Sequence, residues 1–355
     1  MYILFNVFPF SRIYFFTLIL IYFFARILLH IKKDILLSFS KRKSTYFYTF
    51  SLFYTKKFIV NLRVTQETRR FAPSNTTYKQ MATTISILNY KGGVGKTTTT
   101  AHLATALWSL GKKVLVIDTD AQCNLSYQFD FQQGDETLHN WLLDFGCTPP
   151  VYKRYDGLYF IPSGRDSSFE KRLDECTRRE ERLSRQLSVI KNMFDYVLID
   201  CSPKEGLINT NALAASDKVL IPVECSSFSM QGIQGILNSI EHVKRELNEN
   251  LEIAGFLLVK FDKNTRIARS VQEYFALEYK DKLFRTVIRK VVKFDEAPMT
   301  HKTCFELAPD SNGAEDYMRL AEEMTGEKRP DDWKERITEA WYEKHPEDRP
   351  EEETK

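Results

Sequence analysis

Lys91-Gly92-Gly93-Val94-Gly95-Lys96-Thr97-Thr98 is the stretch of this 355-residue chain whose reading decides its fold. It follows an apolar, β-rich run from Ile85 to Tyr90 and precedes a helical pattern from Thr97 to Leu110. That is the strand, loop and helix setting a phosphate-binding loop needs, and a glycine-rich turn with a chance lysine would not bring it along. Glycines, lacking Cβ atoms, reach positive φ and let backbone N–H groups close on an anion. The helix behind them points its positive end at the same spot. Lys96 supplies a mobile cation for β and γ phosphates, and the Thr97 hydroxyl stands where it can ligate Mg²⁺. Lys91 is an additional lysine at the head of the loop. The stretch from Lys91 to Thr98 is therefore expected to bind a nucleotide.

Around the loop, apolar runs alternate with helical patterns from Met81 to Gly326, about 246 residues and a normal size for one α/β domain. Lys113 to Ile117, Tyr196 to Ile199, Lys218 to Val223, Ile253 to Lys260 and Leu283 to Ile288 are continuous rather than alternating, as strands covered on both faces require. Leu183, Leu187 and Ile190, then Ile233, Ile236, Leu237 and Ile240, fall at helical spacing. Gly111 stands where a helix C-terminal glycine belongs. The fold class expected is α/β, a doubly wound, mostly parallel sheet flanked by helices.

Composition separates the two ends from this domain. Residues 1–80 contain no glycine, two acids (Asp34 and Glu67), thirteen Lys or Arg and thirteen of the 26 Phe. They carry about +11 against +3 for the whole chain, leaving about −8 on the rest. The apolar stretch from Ile13 to Ala25, bounded by Arg12 and Arg26, is shorter than the roughly 20 residues a spanning helix needs, and no small-residue cleavage site follows it. A membrane-associating leader, a disordered basic extension and sequence upstream of the true start are the three readings. The last is favoured, because Met81 sits just before the first strand. At the other end, residues 327–355 hold eleven acids against seven bases and three prolines, with only Trp333, Ile337 and Trp341 to bury. They read as a short helix followed by a solvated acidic tail.

Two acidic sites complete the chemistry. Val114 to Asp120 ends an apolar strand in two carboxylates, Asp118 and Asp120, that lie on one side of an extended chain; Phe194 to Asp200 ends another in one. Acids at the carboxyl ends of parallel strands sit at the ligand crevice. Asp200 is expected to hold Mg²⁺ through its water shell, and one of Asp118 and Asp120 to orient the attacking water. The six cysteines show no CxxC pair and no metal-ligand spacing with histidine; Cys201 reads as a buried small hydrophobe, the six histidines receive no role, and a reducing cytoplasm is the natural setting.

The loop KGGVGKTT and the segments IDTDAQCN, FDYVLIDCSP, NALAASDKVLIPVECSSFSMQGI and FRTVIRKVVKFDEAP resemble, in order and at family spacing, the ParA family of partition ATPases over nearly all of residues 83–325. The resemblance implies a P-loop NTPase of deviant Walker A type, an enzyme that hydrolyses ATP with Mg²⁺. It makes Lys91 the signature lysine that reaches across an ATP-bound homodimer, Lys96 a phosphate ligand, Thr97 a Mg²⁺ ligand, Asp120 the residue positioning the hydrolytic water, Asp200 the acid of the second nucleotide motif, and Asp118 a support on the metal side. It further implies ATP-driven dimerisation and non-specific DNA binding through Lys263, Arg266, Arg269, Lys290 and Lys293. A centromere-binding adaptor of ParB type would be the partner in segregating a plasmid or chromosome, with a cytoplasmic, nucleoid-associated location and no membrane. Ordinary solvated surface is the plain alternative for those five basic residues. Ala121 replaces a common proline, Cys123 a common glycine, Lys204 a frequent serine and Arg289 a proline.

Four alternatives share the loop or the superfamily. A MinD-like membrane-cycling ATPase carries a basic amphipathic C-terminal helix, where this tail is acidic. A membrane-tethered member would use residues 1–60 as its anchor. An autorepressor would need a helix-turn-helix before the loop, and an iron–sulfur reductase component would need paired cluster cysteines.

Overall fold

The computed structural model describes residues 82–131, 136–226 and 232–350. The readings of residues 1–80 and of Met81 as the start lie outside the described residues. Among the described residues no helix is long and apolar enough to cross a membrane.

Strands β1 (Thr83–Ile87), β2 (Val114–Asp118), β3 (Tyr152–Tyr155), β4 (Leu158–Ile161), β5 (Tyr196–Asp200), β6 (Lys218–Glu224) and β7 (Glu252–Val259) form one sheet in the order β3-β4-β2-β5-β1-β6-β7. Every neighbouring pair is parallel except the β3–β4 hairpin. The helices are α1 (Lys96–Ser109), α2 (Asn124–Gln128), α3 (Leu138–Leu143), α4 (Phe169–Asp174), α5 (Arg182–Leu187), α6 (Leu207–Ala214), α7 (Ile233–Glu246), α8 (Arg266–Glu278), α9 (Lys293–Glu296), α10 (Cys304–Leu307), α11 (Asn312–Thr325) and α12 (Trp333–Lys344).

The continuous apolar strands are explained by two cores. Leu115, Ile117, Val197, Ile199, Val219 and Ile221 face one, with apolar residues of α3, α5, α6, α7 and α8; Val114, Val116, Leu198 and Leu220 face the other, with α1, α11 and α12. Successive residues of one strand thus enter opposite cores, which is why the apolar runs are continuous rather than alternating. Helix α1 is buried almost round its circumference and carries small residues (Thr99, Thr100, Ala101, Ala104, Thr105, Ala106) that let the sheet and α11 approach it from opposite sides. It ends at Gly111, whose φ of 82° lets its N–H reach Trp108 O and the Lys112 N–H reach Leu107 O, which satisfies carbonyls the last turn would leave open.

Two regions differ from the sequence-based expectation. Leu283 to Ile288, expected as a strand, makes only isolated bridges, Leu283 to Phe256 and Arg289 to Phe261. Its Phe284 and Ile288 N–H groups do pair with β7, but the N–H groups of Arg285 and Thr286 turn away to the Glu323 carboxylate at 2.8 and 2.9 Å, and that diversion breaks the ladder. The β3–β4 hairpin, by contrast, is absent from that expectation: Lys153 and Arg154 interrupt the apolar pattern of β3, and Leu158–Ile161 is a run of only four apolar residues; Arg154 is buried against Glu306 at 2.9 Å. Beyond Gly326 the short helix expected from sequence is α12, and its Trp333, Ile337 and Trp341, spaced four apart, are buried in the same core as α1.

Candidate functional site

Parallel pairing fixes where the chemistry sits. Ile87 and Asp118 both lie opposite Asp200 in the strand register, so the carboxyl ends of β1, β2 and β5 are level. The chain leaving β1 becomes the glycine loop at that edge. Gly93 and Gly95 adopt φ of 70° and 83°, and a Cβ added at Gly92, Gly93 or Gly95 would meet nothing within 4 Å, so the loop encloses open space. Val94, buried, anchors the loop, while Asn89 holds its entry by donating to Pro222 O and accepting from the Lys91 N–H.

The charged groups converge on this space. Lys96 is 7% exposed, and its Nζ donates to Lys91 O at 3.2 Å. Burial lowers its pKa, and the nearby Asp200 charge opposes the shift. A buried ammonium facing a carbonyl beside an open glycine loop is a site for an anion. Thr97 Oγ1 donates to Asp200 Oδ2 at 2.7 Å, and Thr100 Oγ1 to Oδ1 at 3.3 Å. Burial first, and then the Asp118 charge, pushes Asp200 up to about 8, a protonation that an adjacent cation would reverse.

Asp118 and Asp120, equal candidates by sequence, are in different situations. Asp118 is buried, pushed up to about 6 chiefly by that burial, and accepts from the Ser126 N–H at 2.9 Å, the Ser126 hydroxyl at 2.6 Å and the Asp120 N–H at 3.0 Å. These bonds make it the group that shapes the turn. Asp120 is half-buried and accepts from the Gln122 N–H at 3.0 Å. Cys123, where glycine is common in the resemblance above, has a φ of 56°, the left-handed region that glycine adopts without strain. Cys201 is buried, its thiol pushed up to about 12 by burial and then by Asp200, so it packs as a hydrophobe.

Lys91 is exposed. Its Nζ lies 2.5 Å from Glu224 Oε2 and 3.1 Å from Ser226 Oγ, at the end of β6. Lys260, just beyond β7, donates to Gly93 O at 2.7 Å and lies 3.4 Å from Glu224 Oε1. Sequence reading missed Asn89, Ser126, Glu224 and Lys260. Only the place of Glu224 and Lys260 at the carboxyl ends of apolar strands could have marked them; Ser126 gives no such signal. Of the expected basic set, Lys263, Arg266, Arg269 and Lys290 are exposed and form no ion pair among the described residues, whereas Lys293 pairs with Glu296 at 2.6 Å. The Phe261–Arg289 bridge brings Lys290 beside the loop that carries Lys263 into α8. Arg289 itself is committed to Asp316, with Nη2 2.6 Å from Oδ1 and the backbone N–H at 3.0 Å from Oδ2, a bond a proline could not make.

A doubly wound sheet with a glycine loop between β1 and a buried α1, faced by strand-end acids, defines a P-loop ATPase. A family model described as an AAA domain matches residues 82–253. Sporulation initiation inhibitor protein Soj of Bacillus subtilis (strain 168) is 37% identical over 249 residues, covering 69% of this chain and 98% of that protein. Chromosome partitioning protein ParA of Caulobacter vibrioides is 34% identical over 254 residues, covering 69% and 94%. The crystal structure of cobyrinic acid a,c-diamide synthase from Mycobacterium smegmatis with bound ADP and magnesium superposes with a TM-score of 0.59 at 27% identity, over 70% of this chain and 98% of that one. The chain belongs to the ParA family of partition ATPases, within the MinD/ParA superfamily that carries the deviant Walker A loop.

Proposed function

We propose that this ATPase is a partition switch: it binds and hydrolyses ATP with Mg²⁺, dimerises when ATP is bound, and then holds DNA without sequence preference until a centromere-binding adaptor of ParB type triggers hydrolysis. The observation that carries the reading is the convergence of Lys96, Thr97 and Asp200 on the open side of one glycine loop, with Asp120 near enough for its charge to act on Lys96 and with Lys91 free of the core at the loop's outer end.

In this reading the N–H groups from Gly92 to Thr98 and the Lys96 ammonium hold the phosphates, while Thr97 and Asp200 hold the metal side, Asp200 releasing its proton. Mg²⁺, when bound, neutralises charge on the phosphate oxygens. Asp118 orders the turn through Ser126, and Asp120 at the tip of that turn orients the water that attacks. Lys91 serves the nucleotide of the partner subunit, because phosphates brought together at a dimer seam need cations from both sides. Lys263, Arg266, Arg269 and Lys290 form one basic face for the DNA backbone, which Lys293 joins on leaving Glu296. The setting is the cytoplasm, on the nucleoid. A MinD-like membrane cycle finds less support, since α12 balances three acids with three bases and buries its apolar stripe in the core, where that cycle uses an exposed basic helix. Retention of a non-specific duplex on filters, measured with ATP, ADP and no nucleotide, tests the reading. DNA held with ATP alone is expected; equal retention in the three states would remove the ATP-gated DNA cycle.

A further inference from the structure

The contacts of Lys91 imply a restraint on its reach. Glu224 ends β6, lies opposite Val259 in the β6–β7 register, and so stands beside Lys260, the next residue of the neighbouring strand's chain. One carboxylate thereby gathers two lysines, Lys91 on Oε2 at 2.5 Å and Lys260 on Oε1 at 3.4 Å. Lys260 also donates to Gly93 O at 2.7 Å, inside the phosphate loop, and does so from a backbone φ of 52°. A non-glycine residue in that region is strained, and such strain persists where the surroundings impose it, commonly at functional sites. The Glu224 carboxyl responds to both lysines: burial alone would raise its pKa, but the hydrogen bond from Lys91 and the Lys260 charge hold it below the usual glutamate range.

We propose that Glu224 is a latch that keeps Lys91 on its own subunit, with Lys260 clamping that latch to the phosphate loop, so that Lys91 reaches a partner's nucleotide only after the Glu224 pair breaks. The inference rests on the trans role of Lys91 given above. Its logic is competition. Lys91 cannot serve Glu224 of its own subunit and a phosphate across the seam at once, so dimerisation is opposed by two latches, one per protomer. Phosphates at the loop attract Lys260 and Lys91, repel Glu224, and so loosen the latch from the side of the ligand. Nucleotide occupancy is thereby coupled to the freedom of the lysine that joins the subunits.

Two measurements on the full chain and on Glu224→Gln, an isosteric change that removes the charge, test the latch. In nucleotide-free protein, limited amine acylation read by mass spectrometry should modify Lys91 about threefold faster in the variant, with exposed Lys263 as the unchanged reference, since an exposed ion pair counts for up to about fivefold. In sedimentation with Mg²⁺ and a non-hydrolysable ATP analogue, the variant should dimerise at about tenfold lower protein concentration, because two such pairs are broken per dimer. Turnover per dimer, measured with ATP, should stay within about twofold, which places the change on association. Equal Lys91 labelling in the two proteins would overturn the latch, as would equal dimerisation constants where the wild type does dimerise. If the wild type binds the analogue by thermal shift yet stays monomeric, the trans role of Lys91 falls, and the latch as a gate falls with it.

Discussion

At the scale of single residues, binding and hydrolysis separate. Lys96 is the buried cation of the loop, so Lys96→Ala should abolish the stabilisation by Mg-ATP, which for the wild type amounts to about 2.7 kcal/mol at a hundred times Kd. Asp120→Ala should leave that thermal shift intact and lower turnover by about a hundredfold or more, because it acts on water while the phosphates are held elsewhere. Loss of the shift in the Asp120 variant would move the water-orienting role to Asp118. His102, given no role by sequence, is fully buried in α1; its Nδ1–H donates to Thr98 O at 2.7 Å and its Nε2 accepts from the Cys304 N–H at 2.9 Å, tying the loop's helix to α10. Burial, opposed by the Thr98 bond and Glu306, lowers its pKa to about 4 from 6.5. As pH falls the unfolded chain takes up this proton first, so the contribution is complete above 6.5 and is lost on the way down to 4, up to about 3 kcal/mol. His139, also lowered to about 4 by burial, adds to the same window. Asp118 and Asp200, raised to about 6 and about 8, pull the other way in this window, so the test is the difference between two proteins. Replacing His102 by Gln should lower the slope of urea-unfolding free energy against pH between 6.5 and 4 by up to about 1.4 kcal/mol per pH unit, and an unchanged slope would show that His102 is protonated in the native state.

At the scale of elements, α12 is the test case. Trp341 is 5% exposed and closes the core over a pair that needs cover: Arg154 and Glu306, both with buried side chains, 2.9 Å apart, with the Tyr155 hydroxyl donating to the same Glu306 oxygen. The Arg154 guanidinium lies 5.8 Å from the Trp341 ring. Removing the indole opens a cavity and admits water to this pair, so Trp341→Ala should cost about 3–5 kcal/mol, read from the urea midpoint. A midpoint shift worth less than about 1 kcal/mol would mean that α12 is an appendage and not part of the core. The Leu283–Ile288 segment teaches the converse. Its apolar run lies along β7 as sequence suggests, yet one carboxylate on α11 takes two of its N–H groups and prevents a strand.

At the scale of the whole molecule, charge limits how DNA can be held. The chain beyond residue 80 carries about −8, so binding must come from a local basic face. With three to five phosphates neutralised by Lys263, Arg266, Arg269, Lys290 and Lys293, the logarithm of the ATP-state DNA affinity should fall against log salt with a slope of about −2.7 to −4.5. Arg266→Glu with Lys293→Glu should weaken binding to every duplex alike and leave the Mg-ATP thermal shift unchanged, because the contacts are to phosphate and not to base edges. A loss confined to one sequence would contradict a backbone-only interface.

The sequence by itself determined the parts governed by local chemistry: the loop from Lys91 to Thr98, the helix ending at Gly111, the apolar strands ending in Asp118 and Asp200, and through them the doubly wound sheet. Glycine conformation, strand burial and helix termination act over a few residues and leave a mark in composition and spacing. Only the tertiary structure decided the rest. Asp118 and Asp120 differ because Ser126, on the next helix, donates twice to one oxygen of Asp118. Glu224 and Lys260 meet Lys91 and Gly93 because β6 ends beside β1 and β7 beside β6, across 133 and 167 positions of chain. Arg154 could be buried in a hairpin because Glu306 waits for it, 152 residues away. A hydrogen bond or ion pair between distant segments leaves no periodic trace in either, since the partner is chosen by the fold that brings the two together.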